Sequence, residues 1–253
     1  MLLAIISDVH ANTHALEAVL ADIRANGAER VLCLGDLVGY NSFPRETLAL
    51  LREHDVKSIH GNHDLMVLER LPEDGCGSLA RKAVRWTRKV LTEEDWWYLA
   101  RLPAELREQD SMLCVHSALG DPLVRLERAE QFRSEAEALV ESGERVTLCF
   151  TGHTHRQGIV WVTPDDEVRR LHELDVELPR DGICFVNPGT VGQPRDNDTR
   201  AAYALFDCEA RRVSFRRVYY DREPLLRRNR KVGLIAPSKL QRMAARVLGY
   251  PRP

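Results

Sequence analysis

Five short polar motifs, each placed where an apolar run stops, constrain this 253-residue chain more than any other feature. A short apolar run that ends in a turn is typical of a buried strand. Polar groups that follow several such strands meet where the carboxyl ends of the strands converge. The motifs are SDVH (7–10), GDLVG (35–39), GNHD (61–64), CVHS (114–117) and GHTH (152–155). One motif alone could be an ordinary turn, but five in sequence indicate a common site.

The motifs supply oxygen and imidazole ligands for two adjacent divalent metal ions. The candidate ligands are Asp8, His10, Asp36, Asn62, His116, His153 and His155. Imidazole and carboxylate without thiolate favour Mn²⁺, Fe or Zn²⁺ over Ca²⁺ or Mg²⁺ alone, and we expect Mn²⁺. Two dications about 4 Å apart repel each other by on the order of 16 kcal/mol at an effective dielectric near 20. A carboxylate should therefore lie between them, and Asp36 is the candidate. His63 and Asp64 are left over and have the chemistry of acid catalysis.

The order of the predicted elements indicates an α/β fold of the mixed α+β kind. Residues 2–7, 31–34 and 56–59 are predicted strands, separated by helices that begin near Asn12 and Pro44, which predicts parallel pairing. Further strands are predicted at 112–115, 146–150, 158–162, 168–174, 183–186, 202–206 and 213–219. Short turns join the later strands, so we expect them to be antiparallel. The mixture predicts two packed mixed β-sheets flanked by helices.

We expect residues 1–220 to form the main domain and residues 221–253 to form a basic helical tail. A helical insertion is predicted at about 65–103, and it holds the aromatic residues Trp86, Trp96, Trp97 and Tyr98. These aromatic side chains either form the small core of the insertion, which we favour, or stack a substrate base.

The basic C-terminal part has two interpretations. From Arg211 to the end the chain carries 13 Lys and Arg but 2 Asp and Glu, although the whole chain has a net charge of −2. Such an end could bind a polyanion, including nucleic acid. We favour the alternative that it packs against the acidic body or a twin subunit, which would give a homo-oligomer.

The first apolar stretch, residues 2–6, follows no basic segment and is far too short for a signal sequence or a membrane span. We therefore expect a cytoplasmic protein without a membrane partner. None of the six cysteines is part of a CxxC motif, so neither a zinc ribbon nor a disulfide framework is predicted.

The five motifs, in this order, resemble the calcineurin-like metallophosphoesterase superfamily, over residues 2 to about 196. The string NPGTVGQPRD (187–196), with DVHAN and GDLVGY, is similar to its small bacterial and archaeal phosphodiesterase branch. The resemblance implies a metallophosphoesterase-like four-layer sandwich. It implies two ligand sets that share one residue: Asp8, His10, Asp36 and His155, and Asp36, Asn62, His116 and His153. It also implies that His63 protonates the leaving group and that Asp64 orients His63.

The chain departs from the superfamily at the GDLVG motif. Protein phosphatases and symmetrical dinucleoside tetraphosphate hydrolases carry Arg-Gly after GD, and that arginine is missing here. The phosphodiesterase branch commonly has GYGP at this point, whereas Asn41 and Ser42 follow Tyr40 in this chain. We therefore expect a loop of different shape and substrate preference.

The predicted function is that of a phosphodiesterase that hydrolyses a small phosphate ester with a hydroxide shared by the two metals. The alternatives are a phosphomonoesterase or nuclease of the same superfamily, or a non-catalytic scaffold such as a retromer subunit. Two residues are candidates for substrate binding. Asn12 could reach the substrate or cap a helix. Arg195 could clamp a phosphate or pair with Asp196 or Asp198 at the surface.

Overall fold

The structure is a computed structural model that describes residues 1–74, 76–109 and 111–235. The strands are β1 (Leu2–Ile6), β2 (Arg30–Cys33), β3 (Lys57–Ser58), β4 (Glu105–Glu108), β5 (Met112–Val115), β6 (Leu148–Phe150), β7 (Gln157–Val162), β8 (Val168–Leu171), β9 (Asp175–Glu177), β10 (Ile183–Pro188), β11 (Ala201–Asp207) and β12 (Arg212–Val218). The helices are α1 (Thr13–Ala25), α2 (Pro44–Glu53), α3 (Asn62–Val67), α4 (Ser78–Val90), α5 (Glu93–Ala100), α6 (Ala129–Glu141) and α7 (Glu223–Lys231).

The strands form two mixed sheets of six strands each. The first has the order β3-β2-β1-β11-β12-β9, in which β1, β2 and β3 are parallel and the later strands are antiparallel. The second has the order β4-β5-β6-β10-β7-β8, in which β5, β6 and β10 are parallel. The two mixed sheets flanked by helices confirm the predicted fold class, and the parallel pairing of the first three strands is as predicted.

The central strands of each sheet are buried on both faces. Successive side chains of a strand point to opposite sides, so each strand contributes to two cores. In β1, Leu3 and Ile5 face the second sheet and pack in a core with Phe150. Ala4 and Ile6 face the other way and pack against the side chains of α1 and α2. The outer face of the second sheet packs against α6 in a third core. The resulting layers are helices, sheet, sheet and helix.

Local capping explains where the helices begin. The Asn12 side chain accepts a hydrogen bond from the Ala15 N–H and starts α1. Pro44 occupies the first turn of α2, where its missing N–H costs nothing. Thr92 and Asp95 form a reciprocal capping box at α5.

Three elements differ from the prediction. The short helix α3 begins inside the GNHD motif, and strand β4 was not predicted. The predicted strand 168–174 ends at Leu171, and β9 then pairs with β12 in the other sheet. The aromatic residues of the insertion do not form a small core of their own: Trp97 is 56% exposed. Trp86, Trp96 and Tyr98 are half-buried, and Tyr98 packs against the core of the first sheet.

No helix within the described ranges is long and apolar enough to cross a membrane. Part of the predicted tail, residues 236–253, lies outside the described residues. The part that is described, α7, contacts α2: the Arg228 guanidinium lies 2.6 Å from Glu46 and 4.3 Å from the centre of the Phe43 ring.

Candidate metal centre

Six of the seven predicted ligands lie in loops at the carboxyl ends of neighbouring strands, and the seventh begins a short helix. Asp8 and His10 follow β1, and Asp36 follows β2 in the same sheet. His116 follows β5, and His153 and His155 follow β6 in the second sheet. Asn62 is the first residue of α3, after β3. The two sheets thus bring their loops together over one edge of the sandwich.

Five of the predicted ligands have a left-handed backbone conformation that non-glycine residues rarely adopt. The φ angles are 53° at Asp8, 48° at His10, 53° at Asp36, 65° at His153 and 63° at His155. Backbone hydrogen bonds hold these loops together, since the Asp8 N–H donates to Gly35 and the His10 N–H donates to the Asp36 carbonyl. Such strain persists where the surroundings overdetermine it, which is typical of functional sites.

The first cluster consists of Asp8, His10 and His155, whose ligand atoms lie within 4.8 Å of one another. Asp8 Oδ1 is 3.1 Å from Nε2 of His155, and the Nε2 atoms of His10 and His155 are 3.2 Å apart. All three side chains are buried.

The second cluster consists of Asp36, His116 and His153, within the same distance limit. The Asn62 Oδ1 atom lies 3.0 Å from Nε2 of His116 and joins this cluster. Asp36 Oδ2 lies 3.5 Å from Nε2 of His116 and 3.6 Å from Nε2 of His10. One carboxylate oxygen therefore faces both clusters, which is the placement that a bridging ligand needs.

Backbone carbonyls fix the tautomers of three histidines. Nδ1 of His10 donates to Val38, Nδ1 of His116 to Leu34 and Nδ1 of His155 to Gln193, at 3.2, 2.7 and 2.6 Å. A ring that carries its proton on Nδ1 presents the Nε2 lone pair, and metal-binding histidines are oriented in this way. The three Nε2 atoms accordingly point into the two clusters.

The charges and lone pairs of the clusters fit divalent cations. Asp8 Oδ1 has no hydrogen-bond donor among the described residues, yet it faces the lone pair of His155. Burial opposes ionisation of Asp8 and Asp36, but nearby histidines outweigh it and hold both pKa values well below the usual range. Burial alone would lower the pKa of His116, but attraction to Asp36 outweighs burial and raises this pKa to about 9. A histidine ligand must be a neutral imidazole, so cations bound here would displace the proton of His116 and compensate the buried carboxylates.

Glycines allow the loops to approach the carboxylates. A Cβ atom at Gly61 would overlap Oδ1 of Asp36, the oxygen that accepts the His63 N–H at 2.8 Å. A Cβ atom at Gly152 would overlap the Ser7 hydroxyl, which donates to Asp8 Oδ2 at 2.6 Å. The glycines of GNHD and GHTH are thus required by close contact.

His63 lies beside the first cluster without being part of it. Its ring centre is 5.0 Å from that of His10 and 4.6 Å from that of Tyr40. Its Nδ1 atom has no partner among the described residues, and the side chain is 4% exposed. Burial lowers the pKa of His63. A lowered pKa makes the protonated ring a stronger acid, and this ring lies at the edge of the metal site.

Asp64 does not contact the ring of His63 in the way that the resemblance implies. Its carboxylate instead accepts the N–H groups of Leu37, Val38 and Gly61, at 3.2, 3.1 and 2.9 Å. Burial and the charge of Asp36 raise the pKa of Asp64 to about 7, against these three donors. Asp64 thereby ties the GDLVG loop to the GNHD turn. Gly39 of that loop lies against His63, since a Cβ atom there would be 2.7 Å from Nδ1 of His63.

The two predicted substrate-binding residues differ in their surroundings. Asn12 is fully buried; besides its capping role, its Nδ2 donates to the Gly192 carbonyl and the Tyr220 hydroxyl. Its polar atoms are thus engaged within the protein. Arg195 pairs with neither of the aspartates proposed as surface partners, since Asp196 pairs with Arg217 and Asp198 with Arg200.

Tyr40 is a site residue that the sequence analysis missed. Its ring centre is 4.7 Å from that of His10, and its hydroxyl accepts a 3.4 Å hydrogen bond from Nη2 of Arg195. Tyr40 has a φ of 55° and directly follows the GDLVG motif. The sequence signal that could have identified Tyr40 is an aromatic residue directly after a loop that carries a predicted ligand. Tyr40 and Arg195 together form one wall of the site next to His63.

A family model and a curated relative both match most of this chain. The model of the calcineurin-like phosphoesterase superfamily domain matches residues 1–211, which include every predicted ligand. An uncharacterized protein from Methanocaldococcus jannaschii is 34% identical over 220 residues, which cover 87% of this chain and 88% of that protein.

Solved structures resemble more than nine-tenths of the chain. The crystal structure of a metallophosphoesterase from Sphaerobacter thermophilus is 37% identical with a TM-score of 0.76, and the match covers 93% of this chain and 95% of that one. A hypothetical protein from Pyrococcus horikoshii shares the fold with a TM-score of 0.73 at 19% identity, over 92% and 94% of the two chains. The chain belongs to the calcineurin-like phosphoesterase superfamily.

Proposed function

We propose that this chain is a metal-dependent phosphodiesterase that binds two divalent ions, with Mn²⁺ as the preferred metal. The observation that carries the proposal is the pair of buried clusters on either side of Asp36, with His63 beside them. Asp8, His10 and His155 would hold one ion, and Asn62, His116 and His153 the other. Divalent ions bound there would withdraw charge from phosphoryl oxygens and lower the pKa of a water molecule.

The protein's own groups supply the remaining chemistry. In this proposal His63 donates its proton to the leaving oxygen, which supplies a rate factor of about 10²–10⁴. The packed cores on both sides of the sheets and the strained loops hold the ligands in place before substrate binds, so little reorganisation is needed in the reaction. Asp64 holds the GDLVG loop against the GNHD turn, and Gly39 of that loop lies directly against the His63 ring and fixes its position.

The diester preference is supported by the wall that Tyr40 and Arg195 form. One guanidinium matches the single negative charge of a phosphodiester, and it can donate two hydrogen bonds to phosphate oxygens. The half-buried Tyr40 ring offers an aromatic surface to the second ester group. A protonated His63 suits an alkoxide leaving group, which needs a proton as it departs.

The proposal is tested by hydrolysis of bis-p-nitrophenyl phosphate and of p-nitrophenyl phosphate, before and after Mn²⁺ is added to the metal-stripped protein. We expect hydrolysis to depend on Mn²⁺ and kcat/KM to be higher for the diester. Faster hydrolysis of the monoester would replace the diesterase by a phosphomonoesterase. If added Mn²⁺, Fe²⁺ and Zn²⁺ all produced no hydrolysis of either compound, a non-catalytic scaffold would be favoured.

Substitution of Gly39 by alanine should lower kcat about 10²-fold without loss of metal, because a 1 Å displacement of a catalytic group has about this effect. The new Cβ atom would press on Nδ1 of His63, 2.7 Å away. The matched control is Gly27→Ala, since Gly27 also has a positive φ, 72°, but no atom within 4 Å of its Cβ position. Equal kcat values in the two variants would contradict the positioning of His63 by Gly39.

Substitution of Arg195 by methionine should raise KM for the diester about 10- to 100-fold, since a hydrogen bond to a charged group contributes about 1.5–3 kcal/mol. We expect a smaller change in kcat, because the guanidinium binds substrate and transition state alike. Arg200→Met is the control, since Arg200 lies in the same loop but pairs with Asp198. A KM unchanged from that of the unmodified chain would exclude Arg195 from the substrate site.

A nuclease is the second candidate, and it depends on the basic tail. In the described part of the tail, Arg228 pairs with Glu46 of the body, which supports packing over polyanion binding. Salt-sensitive binding of a short oligonucleotide by the full chain would favour the nuclease. The cytoplasmic location, the domain boundary at about residue 220 and a homo-oligomer through the tail stay predictions from the sequence.

A further inference from the structure

The segment after β12, residues 219–231, lies beyond the region that matches the superfamily model, yet it packs against the loops that follow β1 and β2. Leu225 and Asn229 of α7 are each 4% exposed. Arg228 of the same helix lies over Phe43 and pairs with Glu46. The helix therefore covers the loop that follows the GDLVG motif.

A chain of two buried amides links α7 to a predicted ligand. Asn229 Nδ2 donates to Asn41 Oδ1 at 2.8 Å, and Asn41 Nδ2 donates to the His10 carbonyl at 2.8 Å. Asn41 also reaches the Gly192 carbonyl at 3.5 Å. Because its Nδ2 faces these carbonyls, Asn41 can only accept toward α7, so the partner at position 229 must be a donor.

A second path reaches the other histidine of the same cluster. Tyr220 and the Gly192 carbonyl both accept hydrogen bonds from Asn12 Nδ2, at 3.0 Å each. The next carbonyl, that of Gln193, accepts the Nδ1–H of His155 at 2.6 Å. Both paths from the C-terminal segment thus end at the Asp8–His10–His155 cluster.

The other cluster is supported from elsewhere. His116 Nδ1 donates to the Leu34 carbonyl, in the loop after β2, and the His153 N–H donates to Asp8 Oδ2. Among the described residues, the hydrogen-bonded paths from residues 219–231 reach this second cluster only through the first one, since His153 binds Asp8 and the His10 N–H donates to the Asp36 carbonyl. The C-terminal segment therefore supports the first half of the site closely and the second half only through the first.

We infer that Asn229 and Tyr220 are positioning residues for one half of the metal centre. Through Asn41 and Asn12 they hold the backbone around His10 and His155, and so set the affinity of the Asp8–His10–His155 cluster for its divalent ion. The affinity of the Asp36–His116–His153 cluster depends on them much less, because their hydrogen bonds reach it only through the first cluster. This inference rests on the proposed function, because it requires both clusters to bind metal.

The test is calorimetric titration of the full-length, metal-stripped protein with Mn²⁺. The variant Asn229→Leu keeps the number and branching of the side-chain heavy atoms but removes the donor to Asn41. We expect one of the two binding events to weaken about 10-fold, the lower end of the effect of losing an outer hydrogen bond to a metal ligand, because Asn229 acts on His10 through Asn41. The other event should weaken much less. Arg228→Gln is the matched control, because it loosens α7 without touching the amide chain; both events should stay as in the unmodified protein.

Two further variants identify the weakened cluster. Asn229→Leu added to His153→Ala should weaken the remaining site, whereas added to His10→Ala it should have a much smaller effect. Two unchanged events in Asn229→Leu, or equal weakening of both, would overturn the inference. If Asn229→Leu did not fold, Tyr220→Phe, which removes one hydroxyl, must show the same selective loss to a smaller extent. Failure of the unmodified chain to bind Mn²⁺ at all would instead overturn the proposed function.

Discussion

Replacement of Asp36 by asparagine is expected to leave at most one Mn²⁺ per chain and to reduce hydrolysis to background. The asparagine Oδ1 can still accept the His63 N–H, which Asp36 accepts at 2.8 Å, so the loop should keep its shape. What is lost is the negative charge between the two clusters. Two dications about 4 Å apart then repel each other by on the order of 16 kcal/mol with little compensation.

Metal content after reconstitution with Mn²⁺ and gel filtration measures this effect directly. The control is Asp22→Asn, since Asp22 is a hydrogen-bonded carboxylate that binds Tyr203 and Arg216 on the first sheet. That variant should retain two ions per chain. Two ions in the Asp36→Asn variant would show that the carboxylate does not bridge.

Replacement of His63 by alanine should leave both metal ions bound and lower kcat about 10²–10⁴-fold for a diester with an alkyl leaving group. The loss should be much smaller for bis-p-nitrophenyl phosphate, because p-nitrophenolate leaves readily without a proton. The reason is structural: His63 faces the first cluster, but it belongs to neither set of ligand atoms.

His14→Ala is the control for the removal of an imidazole near the site. His14 lies on α1 and contacts Phe43 edge to face, with ring centres 4.9 Å apart. We expect its variant to keep kcat. Equal losses for both leaving groups in His63→Ala would contradict proton donation by His63. Loss of metal in that variant would show that His63 acts as a ligand or as a structural residue.

Much of the candidate site follows from local sequence, because each predicted ligand stands directly after an apolar run. The carboxyl ends of parallel strands share one edge of a sheet, so the convergence of Asp8 and Asp36 could be predicted without a structure. The mixed two-sheet fold could be predicted for the same reason, since helices separate the early strands and short turns join the later ones.

Other features depend on contacts that no local pattern reveals. The hydrogen bond between Asn229 and Asn41 joins residues 188 positions apart. The binding of Asp64 to backbone N–H groups follows from the approach of two loops, which residue types alone do not fix. Helix α3 has six residues, too few for helical periodicity to be recognised.

The insertion shows where residue type misleads. Large aromatic side chains predict a core, but on α4 the small side chains Ala83 and Val84 face inward. On α5, Trp97 points outward, and its ring lies under the Arg101 guanidinium at 5.6 Å. The helical face, rather than the size of the side chain, decides burial here.

Anomalous diffraction from crystals grown with excess Mn²⁺ tests the central claim most directly. We expect two peaks about 3.5–4 Å apart, one beside Asp8, His10 and His155 and the other beside Asn62, His116 and His153, with Asp36 between them. The absence of both peaks, or a single peak with one cluster left empty at saturating Mn²⁺, would contradict the two-metal account.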